Sequence, residues 1–214
     1  MNDAAAPTTP RERYRRQVRT EIKERAWEQI TAAGIPALSL NKIAKDMGLS
    51  GAGLYRYFTS RDELLAELVR DAFGSLVDTF RAVAGRGEGD LRGLAHALRS
   101  WALAEPQRYF LLYGPQIRGS RGPAADLSAA MSEVMGLLLD ACGTLPGTAR
   151  ALPSALVAEH AREGVAPQAA LGTAVAFWTR LHGVLSLELS GHFTGMGVDP
   201  ALLYEVELSS LSAG

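Results

Sequence analysis

Apolar residues recur at intervals of three and four along most of the chain, and the breaks between these stripes hold glycine, proline and capping residues. Val18, Ile22, Ala26, Trp27 and Ile30 form the first stripe. It follows Thr9-Pro10-Arg11-Glu12, in which Thr9 is placed to cap, Pro10 suits a first helical position and Glu12 completes a capping box. Gly34 and Pro36 end that helix. Ser39 opens a short helix with Leu40, Ile43, Ala44 and Met47 on one face, and Gly48 breaks it. Ser50 opens a third helix carrying Leu54 and Phe58 four apart. Ser60-Arg61-Asp62-Glu63 is a further capping box, ahead of a long helix with Leu64, Leu65, Leu68, Val69, Ala72, Phe73, Leu76 and Phe80.

Gly85 to Gly89 predicts a flexible break, Asp90 caps a helix to Glu105, and Pro106 starts another with Tyr109, Phe110 and Tyr113 close together. Loops over 114–122 and 143–153 flank a helix over 123–142, and a short helix covers 154–163. A long, very apolar helix spans 167–190, Gly191 to Gly197 interrupts it, and Asp199-Pro200 starts a last helix to Leu211. No segment alternates with period two and no internal repeat is visible. The pattern predicts an all-α chain of about nine helices: a tail over 1–10, a first helical domain over 11–76 and a helical bundle over 77–214.

Composition narrows the class. The 214 residues are 47% hydrophobic and 21% charged, which is globular rather than disordered. No apolar run reaches the roughly 18 residues that span a bilayer. The stretch after Met1 is too short and polar for a secretory core, which points to the cytoplasm. Cys142 is the lone cysteine, so neither a disulfide framework nor a multi-cysteine zinc site is expected. His96, His160, His182 and His192 are scattered, with no His-Glu-x-x-His pattern. No catalytic constellation, metal site or cofactor motif stands out, so an enzyme is not expected.

Charge adds a direction. Residues 1–61 hold 11 Lys+Arg against 6 Asp+Glu, a net +5, whereas residues 62–214 hold 11 against 17, a net −6. A basic amino-terminal quarter on an acidic body is either the electrostatic footprint of a polyanion-binding end or a solvated helix face. The segment 39–58 favours the former, because two short helices joined by a tight turn form a helix-turn-helix. Ala44 is small where the helices cross, and Gly48 sits where the chain must turn with positive φ. Ile43, Met47, Leu49, Leu54 and Phe58 supply a small core. The third helix begins Ser50-Gly51-Ala52-Gly53, a start that costs about 0.8–1 kcal/mol per glycine in a helix interior. That cost makes sense where the first turn must lie close to DNA.

The run Gly48-Leu-Ser50, Leu54-Tyr-Arg-Tyr-Phe58 and Ser60-Arg-Asp-Glu-Leu-Leu65 resembles the DNA-binding domain of TetR/AcrR-type transcriptional regulators over about residues 16–76. The resemblance implies that Ser39 bonds a backbone phosphate and that Lys42 reaches a neighbouring one. Ser50, Gly51 and Ala52 would lie at the groove, and Tyr55 and Tyr57 would touch phosphates or thymine methyls unless they pack in the core. Arg56 would make a charged base or phosphate contact, and Arg61, where the family usually has lysine, would clamp the backbone. One departure stands out: Gly51, Ala52 and Gly53 leave few base-reading side chains. Readout would then lean on Arg56, the tyrosines, the basic arm Arg11–Arg19 and DNA shape.

Trp178-Thr-Arg-Leu-His182-Gly183, with Glu188 to Phe193 beyond it, resembles a subgroup of these regulators with a Trp-x-x-x-His-Gly signature. In that family the region binds a small effector and forms the dimer. Trp178 and His182, four apart, either line a pocket or serve the core. Trp101, Tyr109, Phe110, Tyr113, Met131, Met135 and Phe177 complete the pocket candidates, and as a set they suit an apolar or aromatic effector. A two-fold dimer would read a palindromic operator of double-stranded DNA. Gly172, Ala174, Ala176, Leu187, Leu202, Leu203 and Val206 are the candidate interface. The expected function is a homodimeric repressor released by a small effector. The alternative is a ligand-indifferent activator or architectural DNA-binding protein.

Overall fold

The computed structural model describes residues 9–114, 124–143 and 168–212. Among them are nine α-helices and no strand, in agreement with the all-α expectation. They are α1 (Pro10–Ala33), α2 (Leu40–Asp46), α3 (Gly51–Leu54), α4 (Arg61–Gly85), α5 (Leu91–Ala104), α6 (Pro106–Tyr113), α7 (Ala124–Gly143), α8 (Gln168–Leu189) and α9 (Pro200–Ser212), with a 3₁₀ turn at Ile35–Ala37. The loop expected over 114–122, all but its first residue, and the loop and short helix expected over 143–163, beyond Gly143, lie outside the described residues.

The helix starts follow local chemistry. Thr9 Oγ1 accepts from the Glu12 amide at 3.2 Å while the Glu12 carboxylate accepts from the Thr9 amide at 2.8 Å, a complete capping box. Ser39, Ser50 and Asp90 cap α2, α3 and α5 through single side-chain oxygens. At α4 the Glu63 amide bonds Ser60 Oγ at 3.1 Å, but the Glu63 carboxylate reaches one residue further back, to the amide and hydroxyl of Thr59, both at 2.6 Å. Those donors hold the Glu63 carboxyl below its usual range.

By their contacts the described residues divide into two units, one within Met1–Asp71 and Phe110–Ala124, the other within Ala72–Tyr109 and Ala125–Gly214. The first has a core of Ile22, Ala26, Ile30, Ile43, Leu54, Phe58, Leu64 and Leu68, all essentially inaccessible to solvent. In the second, Leu94, Leu98, Phe177, Leu181, Tyr204 and Leu208 fill the space among α5, α8 and α9. The Tyr204 hydroxyl donates to the Ala95 carbonyl at 2.7 Å, so this large ring is buried without an orphaned oxygen. Arg99 reaches Glu188 at 2.5 Å, and Arg92 and His96 meet Glu205 at 2.8 and 2.7 Å, tying α5 to α8 and α9.

Candidate functional site

The helix-turn-helix is held together from behind. α2 and α3 meet through Gly48, whose φ of 66° is a left-handed value that favours glycine. The Leu49 amide donates to the Ala44 carbonyl at 2.8 Å and closes the turn. Ile43, Leu54 and Phe58 are fully buried, while Met47 and Leu49 are half-buried. α3 is a single turn, shorter than the spacing of Leu54 and Phe58 predicts: Tyr55 is its C-cap and the chain continues in turns through Tyr57. Two glycines in four residues explain this, because each weakens the helix by about 1 kcal/mol. Burial of Leu54 and Phe58, at about 1.5–3 kcal/mol each, together with the Ser50 cap, outweighs that cost and keeps the turn formed.

Three side chains that motif matching does not single out set the frame. Arg19 on α1 donates to the Tyr57 carbonyl, pairs with Glu67 on α4 and lies 4.1 Å over the Phe58 ring. One turn on, Lys23 pairs with Asp71 at 2.7 Å. Gln29, a buried polar residue on the apolar stripe of α1, accepts from the Ser39 amide at 2.9 Å and so fixes the start of α2. The signal for Gln29 in the sequence is a polar residue where the stripe calls for an apolar one.

Around this frame the expected DNA-facing residues fall on one short stretch. Lys42, Ser50, Gly51, Ala52, Tyr55 and Arg56 are exposed, whereas Ser39 and Tyr57 are half-buried. Tyr55 is 46% exposed, which argues against core packing for its ring. Arg61 is differently placed: its Nε and Nη2 donate to the carbonyls of Leu38 at 3.1 Å and Ile35 at 2.7 Å, so most of its guanidinium is used inside the domain. Space around Gly51 is open, with nothing within 4 Å of an added Cβ. Gly51→Ala is therefore expected to leave stability unchanged or raise it by up to about 1 kcal/mol, while weakening DNA binding several-fold by filling the clearance at the groove. Urea unfolding and duplex titration on the same preparation check both signs.

The effector candidates do not form one group. In the second unit the Tyr109 hydroxyl lies 3.1 Å from His182 Nδ1 and donates to the His182 carbonyl at 3.2 Å, and the Trp178 ring sits 4.2 Å from the imidazole, centroid to centroid. Burial pushes the His182 imidazole down to about 3, so it is neutral at physiological pH. Tyr109 and Phe177 are buried, and Trp178, His182, Met131 and Met135 are half-buried. Trp101 lines a different, open groove of about 770 Å³ with Thr79, Val83, Arg86, Arg92 and His96, and its Nε1 donates to Ser75 Oγ at 3.1 Å. Phe110 and Tyr113 belong to the first unit. Among the described residues no group of three or more His, Cys, Asp or Glu is placed to hold a metal, and no helix is long and apolar enough to cross a membrane.

A one-turn recognition segment presented by a capped, buttressed pair of helices, on a chain whose other unit is also helical, defines a helix-turn-helix transcriptional regulator. Comparison with known proteins agrees. Residues 22–68 match the model of bacterial regulatory proteins of the tetR family, and residues 91–211 match the tetracyclin repressor-like C-terminal domain. The HTH-type transcriptional regulator Rv1816 of Mycobacterium tuberculosis is 31% identical, covering 93% of this chain and 92% of its own. The crystal structure of the regulatory protein SCO4313 shares 54% identity, covers 96% of this chain and 100% of its own, and superposes with a TM-score of 0.86. A protein of unknown function from Rhodococcus sp. RHA1 shares the fold, with a TM-score of 0.69 at 21% identity over 100% of this chain and 98% of its own. The chain belongs to the TetR family of transcriptional regulators. Members of this family bind DNA and usually act as dimers with small-molecule effectors. The subgroup expectation attached to Trp178 and His182 rests on those residues alone.

Proposed function

We propose that this chain is a cytoplasmic, homodimeric repressor without catalytic activity, released from a palindromic operator by a small, uncharged, largely apolar effector. The observation that carries the DNA half is the exposure of Ser50, Gly51, Ala52, Tyr55 and Arg56 on a frame fixed by Arg19, Gln29 and Arg61. In this reading Ser39, Lys42, Tyr55 and Tyr57 meet phosphates, Ser50, Gly51 and Ala52 give clearance at the groove, and Arg56 reaches a base or phosphate. Arg61 acts by holding the entry to α2. The effector half is supported by Tyr109, Trp178 and His182: a neutral imidazole between two aromatic rings suits an uncharged ligand. The DNA-binding domain is taken as residues 11–76 and the effector and dimer domain as 77–214.

The dimer is assigned to α8 and α9. Leu187, Leu202 and Val206 are 44%, 65% and 63% exposed, a cost in water that a second copy removes. Gly172 and Ala174 are buried within the protomer, so the interface is narrower than small-residue spacing predicts. Leu202→Asp with Val206→Asp is expected to give a monomer in sedimentation at micromolar concentration and to cost operator affinity at least tenfold, because a monomer holds a single half-site. The function as a whole is tested by selecting duplexes from a random-sequence library with the purified chain. Recovery of a two-fold symmetric sequence supports it, and recovery of none refutes it.

A further inference from the structure

The recognition segment carries little positive charge: from Ser50 to Phe58, Arg56 is the single cation. The charge is concentrated elsewhere. α1 begins at Pro10, yet Val18 is its first buried residue, and everything from Thr9 to Gln17 is exposed. These turns contain Arg11, Arg13, Arg15 and Arg16 against one acid, Glu12, whose carboxylate is taken up by the Thr9 cap. The fold gains no apolar burial from them. It also bears a cost, since arginines in the first turns oppose the helix dipole and Arg11 and Arg15, one turn apart, repel. A complete capping box with proline at the first position nonetheless keeps the segment helical.

We propose that residues 10–17 are a second DNA-contact element, which grips backbone phosphates flanking each half-site through Arg11, Arg15 and Arg16. The inference rests on the regulator reading above. Its geometry comes from Arg19, which lies on the same helix face as Arg15 and Arg11 and is anchored to the Tyr57 carbonyl at the end of the recognition segment. With a rise of about 1.5 Å per residue, Arg15 stands about 6 Å and Arg11 about 12 Å further out along α1. Each DNA strand offers one charge per about 3.4 Å of axis, so the stripe spans several phosphates. Tyr14, 63% exposed among these cations, adds a flat ring and a hydroxyl donor. The occupant is duplex DNA because the element continues the helix-turn-helix surface and its sign complements phosphate. Arg19 is excluded from the grip, since its donors are already used by Tyr57 and Glu67.

The test compares the parent with Arg11→Gln/Arg15→Gln/Arg16→Gln on two duplexes: the library-selected sequence cut flush with its half-sites, and the same sequence with about ten extra base pairs on each side. On the long duplex the triple variant is expected to bind at least tenfold more weakly near 0.15 M salt. Its slope of log affinity against log salt should fall by two or more, at about 0.9 per phosphate contact. On the short duplex the two proteins should bind alike, and the variant should melt no lower than the parent. Equal affinity and slope on the long duplex overturn the arm while leaving the helix-turn-helix assignment standing. Failure of the parent on both duplexes removes the regulator reading and the arm with it.

Discussion

Replacing Tyr55 and Arg56 together by alanine is expected to lower affinity for the selected duplex by about a thousandfold or more, with little change in folding stability. The size follows from counting. A direct contact to a base or phosphate is worth about 1–3 kcal/mol, each substitution acts twice in a two-fold dimer, and about 1.4 kcal/mol is tenfold. Both side chains are exposed, so their removal should move stability by no more than about 0.5 kcal/mol. The salt slope should fall by about one for each phosphate that a subunit no longer neutralises. Titration at three salt concentrations separates this from a general weakening of charge. If the double variant keeps the parent's affinity and slope, the recognition segment lies elsewhere.

The position of that segment also depends on residues bonded inside the domain. Arg19, Gln29 and Arg61 pin the ends of the 3₁₀ turn, α2 and the recognition segment to α1 and α4. None of these four bonds is local. Arg19 reaches Tyr57 across 38 residues and Arg61 reaches Ile35 across 26, so their partners depend on how the helices cross and not on any spacing along the chain. The caps are the opposite case. Thr9, Ser39, Ser50 and Asp90 each act on the amide three residues away, and the sequence alone locates each of them.

The second unit shows the same division. Its helices are legible because their apolar stripes are long. Residue type alone nominates the effector candidates, and topology separates them: Tyr109, Trp178 and His182 come together, and Trp101 lies on another groove. Small residues are ambiguous in a similar way. Gly172 and Ala174 read equally well as an interface between copies or as room inside one, and only the packed structure assigns them to the interior.

The cluster around His182 makes the protein acid-sensitive well above the range where most carboxylates titrate. An unfolded histidine takes up its proton near pH 6.5, whereas burial among Tyr109 and Trp178 holds the folded imidazole neutral down to about pH 3. Above about pH 6.5 neither state is protonated and this contribution to stability is complete. Below it the unfolded chain binds a proton that the folded one refuses, so stability falls by up to about 1.4 kcal/mol per pH unit until about pH 3. Between pH 7 and pH 5 the drop is at most about 2 kcal/mol, because only the part of that interval below about pH 6.5 contributes. At about 2–4 °C per kcal/mol for a chain of this size, the melting temperature should drop by up to about 4–8 °C. His182→Gln keeps a hydrogen-bonding side chain beside Tyr109 but cannot titrate, so its stability should change little over the same interval. Carboxylates elsewhere act on parent and variant alike and cancel in the difference. Parallel curves for the two proteins between pH 7 and pH 5 would mean that the imidazole is solvated in the folded state, and the apolar character assigned to the effector site would go with it.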